Sequence, residues 1–299
     1  MKKVYDKVSC FSRILNNILK RTDFKKNYIS EKETKKMIDK ISKKKYVTPK
    51  KVGLSLEEYD KGKVYSYNGD LNNSKDKIII YMHGGSYLEE AVSFQLKFAM
   101  KVAKKSDATL IVPIYPLAPK NTYKETYKLM NDLYDKILKL NKKVVFLGDS
   151  AGGGFCLSFS MHLRENRKKQ PDDILLLSPW LDLTLDNPSI VELEKFDSVC
   201  AIKGNKYAGK LWAGDLDIKN YLVSPIYGKF SDLSKITIAT GEFDIMKPDC
   251  VKLSQKLDKE KINHNYIEYR GQCHDFGIYP TKEGTLLVDD FVKIINGEV

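Results

Sequence analysis

Two hydrophobic patterns follow one another along the chain. From residue 61 onward, short apolar runs alternate with longer segments whose apolar residues recur every three or four positions. The runs predict strands at 64–67, 78–82, 109–114, 144–148, 174–177, 236–240 and 266–269, and the periodic segments predict helices at 92–105, 123–140, 155–163, 250–259 and 286–295. Continuous apolar strands separated by helices indicate an α/β fold with a mostly parallel central sheet and helices on both faces.

The first sixty residues have a helical pattern and few apolar positions. Val4, Val8, Phe11, Leu15 and Ile18 are spaced to share one face of a helix, and a second helix is expected at 31–41. Because this part lacks enough apolar residues for a core of its own, we interpret 1–60 as a basic helical N-terminal cap segment.

The remaining residues, 61–299, form the predicted catalytic domain. Within them, 184–227 is a long connection between two strands, and connections of this length in a compact domain are typical of lids and functional insertions. We therefore expect 184–227 to be a cap insertion, which joins the N-terminal segment over a site at the carboxyl ends of the strands.

The charge of the chain is concentrated at its start. The net charge is +12, and residues 1–63 hold 19 Lys or Arg against 8 Asp or Glu, a balance of +11. These lysines have no interleaved aromatic residues, so nucleic-acid binding is not expected, and a solvated basic face is the simplest interpretation. Weak contact with an anionic membrane surface or an acidic partner stays open.

The cysteines and the hydropathy suggest a cellular location. Five scattered cysteines without metal-ligand spacing favour reduced thiols and make zinc binding unexpected. Asp6 and Lys7 interrupt any apolar signal-peptide region, and no apolar run reaches the length of a membrane span. We expect a cytoplasmic protein, whose oligomeric state the sequence leaves open.

One segment stands out chemically, the run Val-Val-Phe-Leu-Gly-Asp-Ser-Ala-Gly-Gly-Gly over 144–154. It predicts a strand, a sharp turn and a helix, with Ser150 at the turn between Gly148 and Gly152. Such a turn projects the serine hydroxyl above the sheet edge. A phosphate-binding turn is the alternative, but the lysine-serine or lysine-threonine ending of a P-loop is missing, which favours a nucleophile.

A serine nucleophile needs a histidine base. Among the four histidines, His162 lies twelve residues into the helix after Ser150, too far along its axis. His264 precedes the last strand, at its wrong end, and His83 suits a structural role in its glycine loop. His274 follows the last strand by a short loop, so we predict it as the base.

The carboxylate that orients this base should come from the preceding strand end. Asp244 follows the strand at 236–240 and can reach His274 through its loop. Glu242 and Asp249 are the competitors, although Asp249 suits the start of the next helix. The resulting order, serine then aspartate then histidine, is that of the α/β hydrolases.

A tetrahedral intermediate on the serine would also need hydrogen-bond donors for its negatively charged oxygen, the oxyanion. The sequence His-Gly-Gly-Ser follows the strand at 78–82, and its backbone at Gly84, Gly85 and Ser86 offers N–H groups with little steric obstruction. Ala151, directly after the nucleophile, offers another N–H group at a helix N-terminus. These four residues form the predicted oxyanion hole.

Over residues 75 to 295 the chain resembles the hormone-sensitive-lipase-like branch of the α/β hydrolases. This branch includes bacterial acetyl esterases and carboxylesterases. The matching motifs are His-Gly-Gly at 83–85, Tyr-Pro-Leu-Ala-Pro at 115–119, Gly-Asp-Ser-Ala-Gly-Gly at 148–153, Ser-Pro-Trp-Leu-Asp-Leu at 178–183, Gly-Glu-Phe-Asp at 241–244 and His-Asp-Phe at 274–276. The chain departs from the family pattern at Ser86, usually glycine, and at Pro116, usually arginine. The resemblance implies that Gly85, Ser86 and Ala151 donate to the oxyanion while Gly84 shapes the turn.

The resemblance also implies an activity: hydrolysis of a small-molecule carboxylic ester through an acyl-enzyme, with no metal or cofactor. The modest cap segments favour short acyl chains. An amidase or N-deacylase acting on a small acylated substrate is the enzymatic alternative, since the same residues serve both bonds. A ligand-binding protein on a hydrolase fold, or a membrane-surface interaction protein, is the alternative from outside enzymes.

Overall fold

A single mixed sheet organises the computed structural model, which describes residues 1–22, 24–43, 53–59 and 61–299. Within these residues nine strands are present: β1 (Lys2–Tyr5), β2 (Ser55–Tyr59), β3 (Gly62–Tyr67), β4 (Lys77–Met82), β5 (Thr109–Pro113), β6 (Lys143–Asp149), β7 (Asp173–Leu177), β8 (Lys235–Gly241) and β9 (His264–Tyr269). Their order across the sheet is β1-β9-β8-β7-β6-β4-β5-β3-β2. β3 runs antiparallel to β5 and β2 antiparallel to β3, and the other neighbouring strands are parallel.

Helices cover both faces of this sheet. They are α1 (Cys10–Leu19), α2 (Glu31–Ser42), α3 (Ser93–Lys105), α4 (Tyr123–Leu138), α5 (Ser150–Glu165), α6 (Ser189–Leu193), α7 (Ile202–Ala213), α8 (Lys247–Lys259) and α9 (Lys282–Ile295). Side chains of α3 and α9 pack in the core on one face, and those of α4, α5 and α8 pack on the other. The predicted α/β class, with a mostly parallel sheet between helices, is therefore confirmed.

The two cores explain why the central strands are apolar without interruption. Along β4, Ile78 and Ile80 contribute to one core while Ile79 and Tyr81 contribute to the other, and all four are fully buried. Because successive side chains of a strand point to opposite faces, a sheet covered on both sides needs apolar residues at every position. The continuous runs in the sequence follow from this requirement.

The N-terminal segment differs from its sequence prediction. Val4 does not belong to a helix: it lies in β1, which pairs in parallel with β9 at the edge of the sheet, and α1 begins only at Cys10. Ser9 caps this helix by accepting a hydrogen bond from the Ser12 N–H group. β2 is a further strand inside the segment predicted to be helical. Residues 23, 44–52 and 60 of the predicted cap segment, 1–60, lie outside the described residues.

The other boundary differences are small and have local causes. The predicted helix at 31–41 is α2, whose first residue follows the capping Ser30. His264, expected just ahead of the last strand, is the first residue of β9 and pairs with Ile236. The segment 184–227, predicted to be a cap insertion, follows β7 and contains α6 and α7.

Candidate active site

Ser150 occupies the turn between β6 and α5. Its φ angle is +50°, in the left-handed region that non-glycine residues seldom adopt. The turn is possible because its neighbours lack side chains: a Cβ atom on Gly152 would overlap the carbonyl group of Met82, at the end of the adjacent strand. The strand-turn-helix geometry expected of a nucleophile elbow is therefore present, and the hydroxyl lines a pocket above the sheet.

His274 and Asp244 reach this serine from two neighbouring strand ends. Nε2 of His274 lies 2.9 Å from Oγ of Ser150, and Nδ1 lies 2.9 Å from Oδ1 of Asp244. The Met246 N–H group donates to the same Asp244 oxygen at 2.8 Å. Asp244 is fully buried and His274 is 2 % exposed. The three predicted residues thus form one hydrogen-bonded line in which the imidazole can accept a proton from the hydroxyl.

A second carboxylate touches the same imidazole. Oδ2 of Asp275 lies 3.3 Å from Nε2 of His274. Burial on its own would lower the pKa of His274, but the carboxylates of Asp244 and Asp275 outweigh it and raise that pKa well above its usual value. Burial in turn raises the pKa of Asp275, with the nearby Asp149 carboxylate adding to the effect against the lowering influence of His274.

Two of the predicted oxyanion donors, Gly85 and Ser86, line the same cavity as Ser150, and Ala151 follows Ser150 in the chain. Gly85 has a φ angle of +122°, and a Cβ atom there would come within 2.6 Å of the Glu89 carbonyl oxygen, so only glycine fits. The N–H groups of Gly85 and Ser86 have no protein acceptor among the described residues, and the N–H group of Ala151 belongs to the first turn of α5, where a helix leaves donors unpaired. The Gly84 N–H group is engaged elsewhere and serves the loop.

The Gly84 N–H group donates to the carboxylate of Asp149, the residue before Ser150. Asp149 is fully buried. Its Oδ1 accepts hydrogen bonds from the Gly84 N–H group at 3.1 Å and from the Tyr81 hydroxyl, and its Oδ2 accepts one from Nε2 of Gln95 at 2.6 Å. The Asp149 carboxylate therefore connects the turn at Ser150 to α3 and to the loop at 83–86, which we call the donor loop. These hydrogen bonds fix the donor loop relative to Ser150.

The other histidines lie away from the serine hydroxyl. Nδ1 of His83 is 2.7 Å from the Gly84 carbonyl oxygen, and the Tyr115 hydroxyl donates to the His83 carbonyl oxygen at 2.6 Å. His162 is half-buried on α5, with Nε2 3.0 Å from Nδ2 of Asn131. In the part of the chain that the structure describes, no group of three His, Cys, Asp or Glu side chains could hold a metal ion.

A cavity of about 400 Å³ opens onto Ser150 and His274. Its walls come from both expected cap segments and from the body. The N-terminal segment contributes Phe11, Leu15 and Leu19, and the 184–227 segment contributes Val199, Cys200 and Asn205. These walls are mainly apolar, and they also include polar side chains such as Glu89 and Glu90. Such a pocket suits a substrate with one polar reacting group and an apolar body.

Comparison with known proteins assigns this site to a family. Residues 79–278, about two thirds of the chain, match a family described by its α/β hydrolase fold. The chain belongs to the α/β-hydrolase fold family. The family and fold that the sequence motifs predict are therefore confirmed.

Several relatives of this α/β hydrolase are esterases and related enzymes. It is 24 % identical over 210 residues to an esterase of Acinetobacter venetianus, covering 69 % of each chain. It is 29 % identical over 205 residues to the Mycobacterium tuberculosis protein LipR, assigned as an acetyl-hydrolase, covering 66 % of this chain and 65 % of LipR. The chain thus spans about two thirds of the length of these relatives. It is an α/β hydrolase of the esterase and lipase type.

Solved structures share its fold over most of their length. A Staphylococcus aureus protein assigned as an esterase superposes with a TM-score of 0.83 at 26 % identity, over 89 % of this chain and 93 % of that one. A hormone-sensitive lipase from a metagenome library gives a TM-score of 0.81 at 23 % identity, over 96 % of this chain and 99 % of that one. Among the described residues of this hydrolase, no helix is both long and apolar enough to span a bilayer.

Several residues of the hydrolase site have no signal in the sequence that assigns their role. Asp197, in the cap insertion, accepts hydrogen bonds from the N–H groups of Val199 and Cys200 on Oδ1 and from Ile245 on Oδ2, at 2.8, 3.0 and 2.9 Å. Ile245 directly follows Asp244. Asp197 therefore connects the 184–227 segment to the loop that carries Asp244. Burial, followed by the Asp244 carboxylate, raises the pKa of Asp197 to about 6.

The cap also contacts the donor loop. Oγ of Ser86 donates to Oδ1 of Asn205 on α7 at 2.8 Å, and Nδ2 of Asn205 donates to the Ala201 carbonyl oxygen at 2.9 Å. Ser86 has a φ angle of +54°, so this side chain is ordered in a conformation that usually selects glycine. The hydroxyl that distinguishes this chain from the family pattern is thus used to join the donor loop to the cap.

Proposed function

We propose that the protein hydrolyses carboxylic esters through an acyl-enzyme on Ser150, with His274 as general base and Asp244 as the group that orients it. The observation that carries the proposal is the continuous hydrogen-bonded line from Ser150 to His274 to Asp244, with both links at 2.9 Å. The esterase and lipase relatives favour the same chemistry.

In the acylation step, Ser150 Oγ attacks the ester carbonyl carbon while Nε2 of His274 takes the hydroxyl proton. The developing negative oxygen accepts hydrogen bonds from the N–H groups of Gly85, Ser86 and Ala151. The imidazolium, stabilised by Asp244, then gives its proton to the leaving alcohol. This sequence forms the serine ester and releases the alcohol without any group from outside the chain.

In the deacylation step, a water molecule replaces the alcohol. His274 takes a proton from this water, whose oxygen attacks the acyl carbon, and the oxyanion forms again at the same donors. When the intermediate collapses, the bond to Ser150 breaks, the proton returns to Ser150 Oγ, and the carboxylic acid leaves. The buried line of hydrogen bonds keeps the imidazole in the tautomer that both steps require.

The proposed substrate combines a short acyl group with an apolar alcohol. The assignment of LipR as an acetyl-hydrolase supports the short acyl group. The cavity of about 400 Å³ is far larger than an acetyl group, so its apolar part is available for the alcohol. We further propose that segments 1–60 and 184–227 act together as the cap, since both contribute walls to this cavity.

The proposal is tested with p-nitrophenyl esters of increasing acyl length, measured on the parent and on Ser150→Ala. We expect the highest kcat/KM for the shortest acyl groups and a loss of about a millionfold in kcat for Ser150→Ala. Ser231→Ala, at an exposed serine, is the matched control and should match the parent. Equal activity of Ser150→Ala and the parent would exclude the serine mechanism, and faster cleavage of the matching p-nitroanilides would favour the amidase alternative.

A further inference from the structure

Helix α1 is oriented with polar residues toward the protein body. Oγ of Ser12 donates to Oε2 of Glu283 at 2.6 Å, and Nδ2 of Asn16 donates to the Gly271 carbonyl oxygen at 2.8 Å. Ser12 is buried against α9, and Asn16 contacts the loop after β9. The side of α1 that contacts α9 and this loop is therefore polar, whereas a surface helix usually turns an apolar stripe to the core.

The large apolar residues of α1 lie on its other sides: Leu19 is buried, Leu15 is half-buried against the active-site cavity, and the other three are largely exposed. Phe11, Ile14 and Ile18 are 52 %, 50 % and 54 % exposed. Their spacing of three and four residues places them on one side of the helix, so they form a continuous apolar stripe. Scattered exposed apolar residues need no explanation, but a stripe of large ones along a whole helix is typical of a surface that meets another apolar phase.

The stripe continues around the mouth of the active-site cavity. Phe11, Ile18 and Phe24 line the cavity from the N-terminal side, and Val92 and Phe94 line it from the start of α3. Phe24, Val92 and Phe94 are 44 %, 43 % and 47 % exposed. We call these residues together with Ile14 the apolar rim. The cavity that contains Ser150 therefore opens beside an exposed apolar surface.

Positive charge borders the apolar rim on both sides. Arg13, Lys20 and Arg21 are exposed on α1 and directly after it, on the flank beside the apolar stripe. On the other side of the mouth, the exposed Lys97 and Lys101 follow Phe94 at helical spacing on α3. An apolar face bordered by lysine and arginine is the pattern of helices that lie in the interface of anionic membranes.

We infer that the apolar rim and its basic border form a docking surface for an anionic lipid bilayer, with the cavity mouth facing the lipid. The basic border selects this occupant, because an apolar protein partner alone would not call for positive charge on both flanks. The inference deepens the proposed function and rests on it in one respect: it assigns the ester to the lipid phase, from which an apolar alcohol enters the cavity. Binding to the bilayer itself does not require catalysis.

The first test measures binding of Ser150→Ala to vesicles by flotation. Vesicles of phosphatidylcholine alone are compared with vesicles that also contain phosphatidylglycerol. We expect binding to the anionic vesicles that weakens as salt is added, and at least about tenfold weaker binding to the neutral ones. Equal binding to both vesicles, or none to either, would overturn the inference while leaving the esterase proposal intact.

The second test uses variants of the rim and its border. Ile14→Asp and the triple variant Arg13→Glu, Lys20→Glu, Arg21→Glu should each bind anionic vesicles about tenfold or more weakly. Ile14 does not line the cavity, so hydrolysis of a water-soluble ester by Ile14→Asp should equal that of the parent. The matched controls are Val191→Asp, at a residue 67 % exposed on α6, and Lys139→Glu, after α4, and both should bind like the parent.

Two outcomes of the variant experiment would overturn the inference. One is unchanged vesicle binding by Ile14→Asp together with unchanged binding by the triple variant. The other is a dimer of the parent in sedimentation equilibrium that Ile14→Asp dissociates, because a second copy of the chain would then cover the rim. A soluble-ester assay run beside each measurement separates these outcomes from a loss of the fold or of the esterase activity.

Discussion

Asp275 Oδ2 and His274 Nε2 lie 3.3 Å apart, at the same nitrogen that faces Ser150. Asp275 has a φ angle of +54°, and its N–H group donates to Oγ of Ser178 at 3.2 Å, which fixes this turned-back conformation. The carboxylate at this position raises the pKa of His274, which favours the imidazolium of the proposed mechanism. It also disfavours the neutral imidazole of His274, the form that would accept the proton of Ser150.

The pH dependence of the enzyme should therefore change in Asp275→Asn. His274 acts as a base only when neutral, so kcat/KM falls as the pH drops through its pKa. Because Asp275 helps to raise that pKa, removing the carboxylate should lower it and move the acid limb of the profile to lower pH. The measurement is kcat/KM for a short p-nitrophenyl ester across pH. Asp76→Asn, at an exposed carboxylate, should leave the limb in place, and an acid limb unmoved in Asp275→Asn would contradict the assigned cause.

The two acidic candidates after β8 can be separated by mutation. Asp244→Asn keeps the size of the side chain but cannot hold His274 in the required tautomer, so kcat should fall by about ten-thousandfold. Glu242→Gln is the matched control. Its carboxylate accepts a hydrogen bond from the Gly271 N–H group at 2.7 Å and pairs with Arg270, and it should retain most of the activity. An equal loss in both variants would contradict the assignment.

Asp149 should prove to be a positioning residue. In Asp149→Asn one acceptor becomes an amide donor that faces the N–H group of Gly84 or the amide of Gln95, leaving a buried donor unpaired. We expect a loss of about 1–3 kcal/mol in the free energy of unfolding. Displacement of the donor loop should lower kcat by about a hundredfold with little change in KM. Asp135→Asn, on the surface of α4, should change neither quantity, and unchanged kcat in Asp149→Asn would exclude the role.

The tightness of the nucleophile turn can be measured through Gly152. A methyl group there would overlap the Met82 carbonyl group, so Gly152→Ala should lower the free energy of unfolding by about 3 kcal/mol or more, or prevent folding. Gly209→Ala in α7 is the control. The added methyl group would lie 3.1 Å from Cβ of Leu183, a side-chain atom, and alanine has a higher helix propensity than glycine. The measurement is thermal denaturation of both variants. A higher stability of Gly152→Ala than of Gly209→Ala would contradict the expectation.

The sheet and the reacting residues are predictable because each leaves a local signature. The strands from β3 to β9 are short apolar runs between turn residues, and their parallel arrangement follows from the helices between them. Ser150, Asp244 and His274 each follow a strand, so parallel topology alone brings them to the same edge. Their proposed roles were inferred from that placement, and the structure supplies the distances that make the roles testable.

The features that escaped prediction depend on contacts between distant parts of the chain. β1 has only four residues, and its pairing partner β9 lies near the other end of the sequence, so no local pattern marks it as a strand. The apolar residues of α1 predict a helix that covers something, but the exposure of several of them depends on the contacts of the helix with Glu283 and Gly271. Asp197 reads as an ordinary polar residue of a loop until the fold brings Ile245 to it.

The pairing of β1 with β9 also concerns the timing of protein synthesis. β1 leaves the ribosome long before β9, because seven other strands and eight α-helices lie between them along the described chain. The sheet edge at β9 cannot form until this intervening chain has been made, and until then α1 lacks Gly271 and Glu283, the groups that orient it. During that interval the apolar stripe is exposed on a nascent chain, where it is a natural binding segment for a chaperone.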